Sequence, residues 1–100
     1  MDSEEQFLAD EIRKAGHARE VLENAAFKDA VKKIDQALLS GMRSAGIADD
    51  KLRLRLLDKY EALHDLMDEL QSVVNTGLLA EEQLRQRTVA QRIKDALSFN

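Results

Sequence analysis

Cysteine and proline are absent from the 100 residues, glycine occurs four times, and aromatic side chains make up 4%. Without cysteine there is no disulfide framework and no thiolate metal site, and nothing calls for an oxidising compartment. The few glycines form no phosphate-cradling loop, and no serine sits in a nucleophile motif. Two histidines stand without an evident orienting partner, so the parts of a catalytic site are missing and the chain reads as a non-enzyme with no cofactor. No stretch approaches the roughly 20 apolar residues that a membrane span needs. The opening Met1-Asp2-Ser3-Glu4-Glu5 is acidic, the opposite of a signal peptide's basic start, so a soluble protein is expected. A small-molecule substrate is not expected either.

What is present is charge and helical periodicity. Nineteen acids and 15 bases give a net charge of −4, which does not attract nucleic acid over the whole surface. The distribution is uneven. Residues 1–24 carry Asp2, Glu4, Glu5, Asp10, Glu11, Glu20 and Glu23 against Arg13, Lys14 and Arg19, whereas residues 83–100 carry Arg85, Arg87, Arg92 and Lys94 against Asp95. An acidic head and a basic tail favour antiparallel packing of the ends or head-to-tail contact between copies.

A helix is expected to open at Ser3-Glu4-Glu5-Gln6, a capping-box pattern, with Leu8, Ile12, Ala15 and Leu22 on its apolar stripe. The phase is lost near Asn24, which can cap a second helix bearing Phe27, Val31, Ile34, Leu38 and Met42, so a kink or tight turn is expected there. Gly41, Gly46 and the polar stretch ending at Asp49-Asp50 mark a loop. From Asp49 or Asp50 a long helix follows, in which Leu52, Leu56, Tyr60, Leu63, Met67, Leu70 and Val74 recur at spacings of three and four. Leu57, Leu66 and Val73 widen that stripe beyond a two-stranded seam, towards the broad face of a bundle helix. Gly77 suits the left-handed position after a helix end, with Leu78 folding back. A final helix from Ala80 to about Ser98 has the thinner stripe Leu84, Val89, Ile93, Ala96 and Leu97. The expected fold is all-α, a small helical bundle of three to five helices built on one long central helix at about residues 50–76. The chain reads as a single domain over residues 1–100, with a basic tail helix at 81–100 that a partner could order.

A chain of this size hides a low fraction of its surface, so oligomerisation or docking on a larger protein is expected. The candidate protein interface is Leu56, Tyr60, Leu63, Met67, Leu70, Val74, Leu84, Ile93, Leu97 and Phe99. Phe99 is costly to leave in water and could insert into another subunit. Candidate anion or nucleic-acid contacts are Lys51, Arg53 and Arg55 at the start of the long helix and Arg85, Arg87, Arg92 and Lys94 in the tail. Asp49, Asp50 and Asp58 can neutralise the first set, and the second has no interleaved aromatic for base stacking, so nucleic acid is not the favoured partner. Glu61-x-x-His64 has the spacing of one carboxylate–imidazole pair of a di-metal bundle, but the companion pair and the further glutamates are lacking, and a solvated flank is the simpler reading.

The series Ala18-Arg19-x-x-Leu22-Glu23-Asn24-x-x-Phe27, Tyr60-x-x-Leu63 and Thr76-Gly77-x-Leu79-Ala80-x-x-Gln83-Leu84 resembles small helical proteins of tailed bacteriophages, often encoded among virion genes. The likeness covers roughly residues 15–85, and its motifs are helix boundaries and core positions, so it carries over no functional residue. It implies a context, a phage particle or its assembly, and not a mechanism. The leading expectation is a structural or assembly module of a phage virion, in the host cytoplasm during assembly and in the virion afterwards, self-associating or docking on a larger virion protein through the heptad face and terminal segments. Two alternatives remain open at this point, a nucleic-acid-binding packaging or regulatory factor and a small inhibitor of a host protein.

Overall fold

The computed structural model describes residues 2–98 and consists of three helices, α1 (Ser3–Glu23), α2 (Ala25–Ala45) and α3 (Asp50–Leu97). Among the described residues there is no strand. The all-α expectation is met with three helices, and the long helix is much longer than expected, at 48 residues.

Each boundary has a local cause. α1 is capped one residue earlier than the Ser3-Gln6 box suggests: the Asp2 carboxylate accepts the Glu5 amide at 2.7 Å. A charged cap with Glu4 and Glu5 in the first turn also complements the positive end of the helix dipole. One residue separates α1 from α2. Asn24 is extended (φ −67°, ψ 125°), and its Oδ1 accepts the Phe27 amide at 2.9 Å. The expected turn at Asn24 is therefore a full break between two helices.

α2 ends at Gly46, whose φ of 56° is the left-handed region that favours glycine, and whose amide bonds to the Met42 carbonyl at 3.2 Å. Asp49 caps α3 by accepting the Leu52 amide at 3.1 Å. Gly41, read as a loop residue, lies inside α2. A Cβ there would come within 2.9 Å of Leu56 Cδ1, so its role is to let α3 approach α2 closely.

Gly77 is the main correction. Instead of ending the long helix near residue 76, it is buried in the interior of α3, and the separate final helix expected from Ala80 is the continuation of the same element. A Cβ on Gly77 would overlap Ala15 Cβ and lie 3.2 Å from the Glu11 carbonyl oxygen. The glycine marks a close approach of α1, and closer packing offsets its poor helix propensity, about 1 kcal/mol relative to alanine. No proline follows, and Leu78-Leu79-Ala80-Glu81-Glu82 are strong helix formers, so nothing stops the helix.

The chain divides into two compact units, residues 1–19 with 72–100, and residues 20–71. In the first, Leu8, Ala15, Ala18, Val74, Gly77 and Ala80 are buried where α1 meets α3. Small residues dominate, so this is a tight contact with little apolar volume. In the second, Leu38 is buried, while Phe27, Val31, Met42, Leu56, Tyr60, Leu63, Met67 and Leu70 are half-buried.

Candidate interaction surfaces

The apolar heptad positions of α3 divide between internal and external use. Leu56, Tyr60, Leu63, Met67 and Leu70 are half-buried within residues 20–71, so their own unit already covers much of them. In the other unit Val74 is buried and Leu84 is half-buried. Ile93 and Leu97 are 56% and 75% exposed, and every residue from Thr88 to Ser98 is exposed. Phe99 lies outside the described residues.

Other apolar side chains are left uncovered. Leu54, Leu57 and Leu66 on α3, Ile34 on α2 and Phe7 on α1 are all exposed. Leu57 and Leu66 are residues that widen the sequence stripe beyond the width of one seam. That excess width is the signal from which their exposure could have been anticipated.

The basic residues fare unequally. Arg53 pairs with Asp50 at 2.8 Å, and Arg85 grips Glu82 through two hydrogen bonds of 3.0 and 2.5 Å. The Arg85 hydrogen bonds, supported by its charge, lower the Glu82 carboxyl below the usual range, and the same contact raises Arg85. Arg87 reaches the head of the chain, forming ion pairs with Glu4 and, at 3.6 Å, with Asp2. Acidic head and basic tail thus meet within one chain, as their charges favour. Among the described residues Lys51, Arg55, Arg92 and Lys94 form no ion pair. Arg92 and Lys94 do line an open groove, together with Asp2, Glu5, Arg87 and Gln91, but the acids there offset the bases. Such a mixed lining is a poor match for a polyanion.

His64 has a structural partner that the sequence did not announce. Its Nε2 lies 2.8 Å from Asp35 Oδ1 on α2, and its ring sits 4.2 Å from the Tyr60 ring at an angle of 38°. The imidazole ties α3 to α2 across 29 residues of sequence, a contact for which the local pattern carries no signal. Among the described residues no group of three or more His, Asp or Glu converges as a metal site would require, and no helix is long and apolar enough to cross a membrane.

No family model, curated protein or solved structure matches the chain. The three surfaces just described therefore carry the functional reading.

Proposed function

We propose that this protein is a non-enzymatic association module that works by packing exposed helix faces against another protein surface, its own second copy first, in the assembly of a phage particle. The phage setting rests on the sequence resemblance over residues 15–85. The association rests on one structural observation. Among the described residues six apolar side chains are buried, three of them alanines, while thirteen large apolar side chains are exposed. Burying one large aliphatic side chain fully contributes about 1.5–3 kcal/mol, so covering even part of this set is enough to drive specific helix pairing.

Mass measured by light scattering across a dilution series tests the reading. The expected result is a species heavier than one chain that dissociates on dilution. A cooperatively folded monomer at every concentration would overturn self-association and leave a larger protein as the only surface that could receive these faces.

A further inference from the structure

Six residues of α3 lie one position before each residue of its half-buried seam: Leu52, Arg55, Lys59, Ala62, Leu66 and Glu69 precede Arg53, Leu56, Tyr60, Leu63, Met67 and Leu70. They share the same alternation of three and four, so they form a second seam about 100° around the helix from the first. All six are exposed, Leu52 by 39% and Leu66 by 51%, and all lie within the unit formed by residues 20–71.

The charges on this seam are sorted by position. The bases Arg55 and Lys59 come first, and Glu69, flanked by Asp65, comes last, with no Lys or Arg between Lys59 and Arg85. None of Arg55, Lys59, Asp65 and Glu69 forms an ion pair among the described residues.

We propose that this second seam of α3 is a self-complementary docking surface on which a second copy of the chain pairs antiparallel, with the two-fold axis at Ala62. In that register Arg55 faces Glu69 of the other copy and Lys59 faces its Asp65. Each pair occurs twice by symmetry. The two Ala62 side chains meet at the axis, where their small size lets the helices close. In the same register Leu66 packs on the aliphatic stem of Lys59 beside Asp58 of the other copy, and Asp58 and Glu61, which flank the seam, are charges that gain no partner. A parallel pairing would set Arg55 on Arg55, Lys59 on Lys59 and Glu69 on Glu69, so charge selects the antiparallel arrangement.

This inference rests on the reading of the chain as an association module and specifies its contact. Sedimentation velocity over a concentration series at low salt tests it with three variants. Arg55→Glu and Glu69→Arg, each placing like charges opposite twice per dimer, are expected to weaken dimerisation about tenfold or more. The combined R55E/E69R variant is expected to recover it, because the pair is restored with its sign exchanged. Circular dichroism of each variant reports that the exposed substitutions leave the helices intact. Because the chain has no cysteine, A62C provides a second readout: mild oxidation should link Ala62→Cys chains, whereas the control Leu54→Cys, on another face, should remain unlinked.

A dimer indifferent to both charge reversals and to the position of the cysteine would overturn this contact while leaving self-association standing. A protein that stays monomeric throughout would overturn both.

Discussion

At the scale of single residues, two glycines in helices make opposite predictions from the same chemical change. At Gly16 in α1 an added Cβ meets nothing within 4 Å, so Gly16→Ala is expected to stabilise by about 0.5–1 kcal/mol through helix propensity and lost freedom of the unfolded chain. At Gly77 the same methyl overlaps Ala15, and forcing α1 and α3 apart should outweigh the propensity gain, leaving a net loss of about 1–3 kcal/mol. Urea unfolding of both variants decides the matter. If Gly77→Ala were as stabilising as Gly16→Ala, the close approach would be wrong. Glu82 gives a prediction in pH. Its carboxyl is lowered because Arg85 hydrogen-bonds the charged form, so this contact favours the fold above the ordinary carboxylate range and is lost as pH falls through the lowered value. Because both side chains are well exposed, the effect belongs to titration more than to stability. The NMR titration midpoint of Glu82 should move upward in Arg85→Ala. An unmoved midpoint would mean that the bidentate contact does not persist in solution.

At the scale of elements, the caps do most of the partitioning of an almost entirely helical chain. Asn24 is the only residue between α1 and α2, and Asp49 caps α3. Asn24→Ala and Asp49→Ala should each cost about 1 kcal/mol, whereas Asn24→Asp, which keeps an acceptor oxygen, should cost much less. Thermal unfolding followed by circular dichroism measures the difference; equal losses for Asn24→Ala and Asn24→Asp would remove the side-chain cap as the cause. Asn24, Asp49 and Gly46 were readable in the sequence because a cap acts on amides three or four residues away. Gly77 was misread for the complementary reason. A glycine that ends a helix and a glycine that admits a neighbouring helix look alike in one dimension, and only the position of Ala15, far away in sequence, separates them. The Asp35–His64 contact and the uncovered second seam of α3 were hidden on the same ground, since each depends on which face of α3 is occupied by α2. The heptad periodicity marks the residues of α3 that lie half-buried within residues 20–71, and of the residues that widen its stripe Leu66 falls on the outward seam.

At the scale of the whole molecule, the balance between covered and uncovered apolar surface governs behaviour. No large side chain among the described residues is fully buried, and both units rely on half-buried contacts or alanines. A chain with so little interior gains stability from any association that binds only its folded form, by an amount that grows with concentration. The unfolding midpoint should therefore rise as protein concentration is raised, and added salt should reduce that rise, because the proposed contact draws on ion pairs at an exposed seam. Differential scanning calorimetry at several concentrations, each at low and high salt, separates the contributions. A midpoint that rises with concentration at both salt levels would point to apolar contacts as the main drive, and one that rises only at low salt to the Arg55–Glu69 and Lys59–Asp65 pairs. A midpoint independent of concentration would mean that the half-buried seams suffice alone, and the exposed leucines of α3 would then need a different protein to explain them.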